Sequence, residues 1–185
     1  AIPAWKIAPA LACGNTVVFK PAELVPGCAW ALAEIISRSG LPAGAFNLVL
    51  GSGRRVGQTI VESPLVDAIS FTGSVPVGEA LLATATARRA RVQLEMGGKN
   101  PLVVLADAAL ERAVEHAIQG AFYSTGQRCT ASSRIIVEAP VFDRFASLMR
   151  QRTAALVVGH ALERGTQIGP VVSADQLAQD LSYVD

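Results

Sequence analysis

The sequence has little charge and no long apolar run, and both shortages exclude classes of protein. Only 17% of its 185 residues are charged and 51% are hydrophobic, a balance too apolar for intrinsic disorder. Its net charge of +1 gives no strong field to attract nucleic acid or anionic lipid. No apolar run reaches the ~18 residues of a membrane-spanning helix. The composition favours a globular α/β protein without nucleic-acid or membrane partners.

Cysteine and histidine are also scarce. The three cysteines, Cys13, Cys28 and Cys129, are odd in number and far apart, which predicts reduced thiols in a cytoplasmic protein rather than a disulfide framework. Neither His116 nor His160 has another Cys or His at ligand spacing, so no metal site is predicted. The first residues lack the basic region and unbroken apolar stretch of a signal peptide.

Short β-rich runs alternate with longer amphipathic ones, which is the rhythm of βαβ units. Strands are predicted at TVVFK, FNLVL, AISF, VQLE, PLVVL and RIIVE. Helices are predicted at about residues 26–39, 54–62, 77–87, 110–123 and 141–157. Strands joined through helices pair in parallel, so we expect an α/β fold with a parallel sheet.

The helical periodicity also predicts core positions. In the helix beginning at Pro26, Cys28 falls near the stripe of Leu32, Ile35 and Ile36 and is therefore interpreted as a core residue. The helix after Pro140 is predicted to bury one apolar stripe, formed by Val141, Phe145, Leu148 and Met149.

Two glycines interrupt the pattern near the middle of the chain. Gly97 and Gly98 in LEMGGKNP predict a boundary between a domain over residues 1–98 and a second over 99–185. The final DQLAQDLSYVD begins a polar helix that stops without a cap or a closing strand. The chain is therefore interpreted as a segment cut at both ends.

Three glycines follow the predicted strand FNLVL and precede a helix. Gly51, Gly53 and Gly57 suit a turn at which the backbone approaches a phosphate. Their spacing departs by one residue from the dinucleotide fingerprint, and the acidic Glu23 precedes them rather than following. A plain strand-to-helix turn is an equal alternative.

Cys129 and Glu95 are the candidates for chemistry. Cys129 lies in the small, polar stretch STGQRCTASS, an unusual setting for a core cysteine, so its thiol is a candidate nucleophile. No histidine is near it in sequence, so activation needs backbone N–H groups, a helix end or Arg128. Glu95 ends VQLE at the carboxyl edge of the sheet, which suits a general base, although an ion pair with Lys99 is an alternative.

The motifs resemble those of the NAD(P)-dependent aldehyde dehydrogenases. Five occur in the family's order, namely PAWKIAPALACGNTVVFKPAE, GSGRRVG, ISFTGS, LEMGGKNP and GQRCT. The resemblance covers essentially the whole chain and includes an acid 34 positions before the GQxC cysteine. LEMGGKNP and TQIGPVVSADQL also resemble semialdehyde dehydrogenases, especially those acting on α-ketoglutaric semialdehyde. The resemblance implies the distal part of a parallel-sheet cofactor domain followed by the start of an α/β catalytic domain.

The resemblance also implies catalytic roles. Cys129 becomes the nucleophile, Glu95 the general base, and Lys6 of AWK a lysine near the proton-exit route. A thiolate adds to the aldehyde, the thiohemiacetal gives hydride to nicotinamide, and water deprotonated by Glu95 hydrolyses the thioester. Trp5, next to Lys6, is interpreted as a packing residue, as are Phe122 and Tyr123, for which lining of the aldehyde pocket is the alternative.

The cofactor implied by the resemblance is NAD, with NADP as the alternative. Lys20 and Glu23 match positions that hold the adenosine ribose. The turn and the pyrophosphate and nicotinamide side are matched by Gly53, Gly57, Gly73 and Ser74. A carboxylate at Glu23 accepts from ribose hydroxyls and would repel a 2′-phosphate, whereas Arg54 or Arg55 would soften that preference.

The family comparison implies a longer parent enzyme, a homodimer or homotetramer that acts on a small aldehyde. A second oxyanion donor belongs to a motif outside this sequence, so we expect poor turnover from the 185 residues alone. The competing hypothesis is a catalytically incompetent nucleotide-binding fragment or interaction module that pairs through an exposed sheet edge. A thiol esterase using Cys129 without a cofactor ranks third.

Overall fold

The structure is a computed structural model that describes residues 1–184. The chain divides into two compact units between Met96 and Gly97, beside the glycine pair at which the sequence predicts a boundary. All three strand pairs are parallel, so the α/β class with parallel strands is confirmed. Within the described residues no helix is both long and apolar enough to cross a membrane.

The first unit alternates helices and strands. Its elements in order are α1 (Ile2–Ala12), β1 (Val17–Phe19), α2 (Pro26–Ser37), β2 (Phe46–Leu48), a π-helical turn (Gly53–Gly57), α3 (Gln58–Glu62), β3 (Ala68–Gly73), α4 (Val75–Ala87) and β4 (Arg91–Met96). Helix α1 has no counterpart among the predictions, because Pro9 lies inside it and proline removes a helical hydrogen bond.

The strands of the first unit form two separate pairs rather than one continuous sheet. Strand β1 pairs with β2, and β3 pairs with β4 in the register Ala68–Arg91 to Gly73–Met96. Because side chains alternate along a strand, β3 and β4 have one apolar and one polar face. The apolar side packs in a cluster formed by Val61, Ile69, Leu81, Ala85, Ala90 and Val92. The opposite side, here called the polar face, exposes Ser70, Thr72, Gln93 and Glu95.

The second unit is built around one parallel pair and two helices. Its elements are β5 (Asn100–Val104), α5 (Leu110–Ala121), a 3₁₀ turn (Tyr123–Gly126), β6 (Ser132–Val137), a 3₁₀ turn (Ala139–Val141), α6 (Phe142–Ala154) and α7 (Ala174–Val184). The buried residues of its core are Val104, Leu110, Val114, Ala117, Ile118 and Phe145. The apolar stripe predicted for α6 is confirmed, since Val141, Leu148 and Met149 pack against this core with Phe145.

Two predicted packing residues are exposed. The prediction that Cys28 lies in the core is wrong, because α2 turns its neighbour Ala29 inward and successive residues differ by about 100° around a helix. Ile35 lies on the same outer side and is 60% exposed. The packing role of Trp5 is also wrong, since α1 buries Ile7 and leaves Trp5 72% exposed.

Phe145 is expected to contribute strongly to the stability of the second unit. It is only 3% exposed, so Phe145→Ala should lower the free energy of unfolding by about 3–5 kcal/mol through lost burial and a residual cavity. Phe142→Ala on the same helix is the control, because Phe142 is 54% exposed and the change should cost much less. Urea unfolding followed by circular dichroism measures both, and equal losses would contradict the assigned core.

Candidate active site

Glu95 lies on the polar face of β3 and β4, one residue before β4 ends. In the parallel register Thr72 is opposite Glu95, and Ser70 is opposite Gln93. Gln93 and Glu95 are two residues apart on one strand, so their side chains are on the same face. The carboxylate therefore stands at the carboxyl end of a parallel strand, the edge at which α/β proteins bind ligands.

Lys6 reaches this face from α1. Its ammonium donates to Ser70 Oγ at 2.8 Å and to the carbonyl oxygen of Phe71 at 3.1 Å. The Ser70 hydroxyl donates to Gln93 Oε1, and Gln93 Nε2 donates to Glu95 Oε1 at 2.7 Å. The structure thus brings together two of the predicted catalytic residues, Lys6 and Glu95, through two residues that the sequence analysis did not single out.

Partial burial lowers the pKa of Lys6 from its usual 10.5, and the negative charge of Glu95 opposes part of that shift. The Lys6 amine should therefore lose its proton at a lower pH than an ordinary lysine. Acetylation of Lys6 across a pH series, read by peptide mass spectrometry, should reach its midpoint below 10.5. In Glu95→Gln the midpoint should fall further, because the opposing charge is removed.

A short unstructured peptide spanning Lys6 is the control for this titration. Its lysine keeps full hydration and should show the ordinary midpoint. A midpoint for Lys6 in the folded protein equal to that of the peptide would contradict the described environment. An upward movement in Glu95→Gln would contradict the assigned influence of the carboxylate.

Four predicted cofactor residues meet at the turn over residues 51–57, here called the glycine turn. Glu23 Oε1 accepts a hydrogen bond from the backbone N–H of Gly53 at 2.7 Å. Lys20 Nζ donates to the carbonyl of Gly51 at 3.3 Å, and its side chain lies beside Gly57. These two hydrogen bonds therefore connect the segment after β1 to the turn that precedes α3.

Gly51 gives this turn its shape. Its φ of +145° is a conformation that residues with side chains rarely adopt, and an added Cβ would lie 2.5 Å from Val56 Cγ2. Gly53, by contrast, has open space where a Cβ would be. The turn thus combines a conformation that requires glycine with a backbone segment that a ligand can approach.

Gly73 and Ser74 lie at the carboxyl end of β3, where α4 begins. Ser74 is the N-cap residue of α4, and its side chain makes no capping hydrogen bond. A Cβ on Gly73 would clash with the ring of Phe71, so a side chain at this position would require that ring to move. Their hydroxyl and backbone groups stand at a helix amino terminus, where unpaired N–H groups favour anions.

Cys129 is exposed in a turn between α5 and β6. Ala131 N–H donates to the carbonyl of Arg128 at 3.0 Å, which places Cys129 and Thr130 at the centre of a β-turn. Among the hydrogen bonds of the described residues, the backbone N–H of Cys129 has no acceptor. The turn therefore presents a thiol and a free donor from the same residue.

The segment before Cys129 has unusual backbone geometry. Ser124 and Thr125 both have left-handed φ values, 58° and 54°, and Gly126 follows at 66°. Arg128, a predicted candidate for activating the thiol, donates through its guanidinium to the carbonyl of Gln119 at 2.6 Å. This hydrogen bond therefore joins the β-turn over residues 128–131, here called the cysteine turn, to the end of α5.

Asn100 is a site residue that the sequence analysis missed. Its Nδ2 donates to the carbonyl of Cys129 at 2.7 Å and to that of Ala131 at 3.0 Å, thereby fixing the turn from the start of β5. These contacts link residues about thirty positions apart in the chain, and no local pattern indicates them. For Gln93, the period-two alternation of VQLE was an available signal, because it puts Gln93 on the face of Glu95.

The second unit also has an open apolar cavity of about 320 Å³. Its lining consists of Ala121, Phe122, Thr125, Thr153, Leu156, Val158 and Ile168. Phe122 thus faces a cavity beside the segment that leads to the cysteine turn. Its role in lining an aldehyde pocket stays a prediction. Within the described residues, no group of three His, Cys, Asp or Glu side chains is arranged to hold a metal ion.

Comparison with known proteins matches the whole chain to one family model. The model described as the aldehyde dehydrogenase family aligns with residues 1–185. The chain belongs to the aldehyde dehydrogenase family. The family membership predicted from the five motifs is therefore confirmed.

Two curated aldehyde dehydrogenases are similar over the full length of this chain. Alpha-ketoglutaric semialdehyde dehydrogenase of Bacillus subtilis is 50% identical, and betaine aldehyde dehydrogenase of Sinorhizobium fredii is 45% identical. Each match covers 100% of this chain and 38% of the relative. The chain thus spans little more than a third of these aldehyde dehydrogenases.

Solved structures of other proteins share the same fold. HpcC of Thermus thermophilus matches with a TM-score of 0.94 at 44% identity, covering 97% of this chain and 35% of that one. Betaine aldehyde dehydrogenase of Staphylococcus aureus, in complex with NAD+, matches with a TM-score of 0.96 at 37% identity, covering 99% and 36%. An NADP-dependent enzyme of E. coli matches with a TM-score of 0.93 at 41% identity, covering 97% and 37%. The aldehyde-dehydrogenase-like fold class is confirmed.

Proposed function

We propose that the complete gene product oxidises an aldehyde to a carboxylic acid, with NAD as the hydride acceptor and Cys129 as the nucleophile. The observation that carries this proposal is the cysteine turn, in which an exposed thiol and an unpaired backbone N–H belong to the same residue. A cysteine that served only in packing or in an ion-pair network would have no use for an unpaired backbone N–H beside its thiol. Family membership supports the same reaction.

In the proposed reaction the Cys129 thiolate bonds to the aldehyde carbon, the π bond of the carbonyl breaks, and the carbonyl oxygen takes up the negative charge. The Cys129 N–H donates to that oxygen, and Asn100 holds the turn in the conformation that presents it. Departure of hydride from the same carbon leaves a thioester on Cys129. Water then replaces the sulfur and releases the acid.

Glu95 is proposed to take the proton from the attacking water. The carboxylate is exposed, and its Oε1 accepts from Gln93, which leaves Oε2 for the water. A carboxylate positioned by a neighbouring donor acts as a general base without having to reorganise. Lys6 is joined to Glu95 through Ser70 and Gln93, and it is proposed to lie near the route by which the proton leaves the site rather than on it.

The residues of the glycine turn fit a dinucleotide. When bound, NAD accepts hydride from the substrate. Glu23 is proposed to accept from ribose hydroxyls through the oxygen that does not bind Gly53, and Lys20 to assist from its place on the same turn. The open space at Gly53 suits a closely approaching ligand, and Gly73 and Ser74 would face the pyrophosphate and nicotinamide side. Glu23 favours NAD over NADP because its charge repels a 2′-phosphate.

A semialdehyde is the proposed substrate class. This rests on the 50% identity to alpha-ketoglutaric semialdehyde dehydrogenase, compared with 45% for betaine aldehyde dehydrogenase. The complete enzyme is further proposed to be a cytoplasmic homodimer or homotetramer. Its location is supported by three cysteines that form no disulfide in the described residues.

Formation of NADH by the complete gene product tests the proposal. The product should oxidise α-ketoglutaric semialdehyde faster than betaine aldehyde, and should prefer NAD to NADP. Calorimetry with NAD, combined with the activity assay, distinguishes this proposal from the competing hypothesis of a nucleotide-binding module without enzymatic activity. Binding of NAD with no oxidation of either aldehyde would overturn the enzymatic proposal in favour of a nucleotide-binding module.

A further inference from the structure

A continuous row of side-chain hydrogen bonds crosses three elements of the first unit. It begins at Lys6 on α1, passes through Ser70 on β3 and Gln93 on β4, and ends at Glu95. Lys6 and Glu95 are far apart in sequence, so only the fold brings them to the same row. The parallel register supports the middle of the row, since Ser70 and Gln93 are opposite each other.

The row has a fixed direction because its two ends differ in chemistry, since the Lys6 ammonium only donates and the Glu95 carboxylate only accepts. An ammonium group has only donors, so the oxygen of Ser70 must accept from Lys6. Ser70 donates its single hydroxyl hydrogen to the carbonyl oxygen of Gln93. The amide of Gln93 consequently turns its NH₂ group toward Glu95. Because the Glu95 carboxylate can only accept, it determines which way the Gln93 amide points.

The opposite amide orientation would be unfavourable at the Glu95 end. Gln93 would then present NH₂ to Ser70 and its carbonyl oxygen to the Glu95 carboxylate, placing two acceptors against each other. A second bond, from Lys6 to the carbonyl of Phe71 at 3.1 Å, keeps the ammonium on β3. The starting point of the row is therefore anchored by backbone as well as by Ser70.

We propose that Ser70 and Gln93 are positioning residues that hold the Glu95 carboxylate as a hydrogen-bond acceptor, with Lys6 as the donor at the other end of the row. The role of Glu95 in turnover rests on the proposed function, whereas the directed row itself does not. A donor on Oε1 fixes the carboxylate in one orientation and leaves Oε2 to take a proton from water. Hydrogen bonds to an ionised acceptor are among the stronger ones, so the loss of this bond should be measurable.

Ser70 offers the sharpest test in turnover, because it contacts Lys6 and Gln93 and is separated from Glu95 by Gln93. In the complete gene product, Ser70→Ala should lower kcat for aldehyde oxidation by roughly 10-fold, the effect of losing one charge-assisted hydrogen bond. The rate of the first NADH turnover and kcat/KM for the aldehyde should stay unchanged, since only thioester hydrolysis uses Glu95, and KM should therefore fall together with kcat. Ser70→Thr keeps the hydroxyl and should restore kcat.

Gln93→Met should reproduce the loss seen in Ser70→Ala. Gln176→Met is its matched control, because Gln176 Nε2 donates to Asp180 at 2.8 Å in a similar Gln–carboxylate pair on α7. That control should leave kcat unchanged. Equal kcat in wild type, Ser70→Ala and Gln93→Met would overturn the positioning role, as would a fall in kcat that Ser70→Thr does not restore.

A second measurement tests the row without any turnover. In protein labelled with ¹⁵N-glutamine, the side-chain NH₂ signals of Gln93 are assigned by their loss in Gln93→Met. They should shift in Ser70→Ala and in Glu95→Ala, and should stay in place in Ser70→Thr. Gln93 NH₂ signals that do not shift in either alanine variant would contradict the hydrogen-bonded row, whatever the activity. Shifts as expected in a protein that oxidises no aldehyde would support the row and overturn the proposed function instead.

Discussion

Cys129→Ala is expected to abolish aldehyde oxidation by the complete gene product, lowering kcat by roughly 10⁴-fold or more. The proposed reaction begins with a carbon–sulfur bond, and alanine offers no atom that can form it. Binding of NAD should persist, because the glycine turn with Lys20 and Glu23 lies in the other unit. NADH formation measures the loss, and calorimetry with NAD measures the binding.

Cys28→Ala is the matched control for this substitution. Cys28 is also exposed, and it lies on α2 of the first unit, so general thiol chemistry would affect both positions alike. Its removal should leave NADH formation unchanged. Aldehyde oxidation that survives Cys129→Ala but fails in Cys28→Ala would contradict the assigned nucleophile. Cleavage of a p-nitrophenyl ester that depends on Cys129 and not on NAD would instead support the esterase hypothesis.

Motif and periodicity predict some residues of the candidate site but not others. The short motif GQRCT indicates Cys129 as a candidate nucleophile, and the alternation of VQLE places Glu95 on a defined face of β4. Both signals are local, since each depends on residues within a single element or turn. The side chain that fixes the cysteine turn, Asn100, comes from another strand and has no local signal.

Helix faces show a second limit of prediction. The stripe predicted for α6 packs as expected because Phe145 and its neighbours face a large apolar cluster. Helix α2 packs on β2, a strand of only three residues, so a rotation of one residue decides which side chains are buried. Ala29 faces inward there, and the larger Ile35 and Cys28 lie outside. The apolar residues of α2 alone therefore do not determine which side of the helix is buried.

The cofactor residues illustrate the same distinction at the level of the turn. Glycine spacing left a plain turn and a dinucleotide turn equally open, because spacing shows where small residues lie but not what surrounds them. The structure adds two long-range contacts, from Glu23 to Gly53 and from Lys20 to Gly51. These contacts join three predicted cofactor residues in one place, which spacing could not show.

Glu95→Gln is the second substitution with a large expected effect. An amide cannot take a proton from water, so kcat should fall by about 10²- to 10⁴-fold, the usual contribution of a general base. The nucleophile remains, so the first turnover should still release NADH at the normal rate. The acyl group should then stay on Cys129, where intact-mass and peptide mass spectrometry can detect it as a stable adduct.

Glu79→Gln is the control with the same change of charge, because Glu79 is exposed on α4 of the same unit. It should show neither the fall in kcat nor the adduct. The distinction between the two halves of the reaction is decisive here. A Glu95→Gln enzyme that loses its first turnover would place Glu95 in thiol activation or hydride transfer rather than hydrolysis. A normal steady-state rate would remove Glu95 from the chemistry altogether, leaving the hydrogen-bonded row from Lys6 as a structural feature of the polar face.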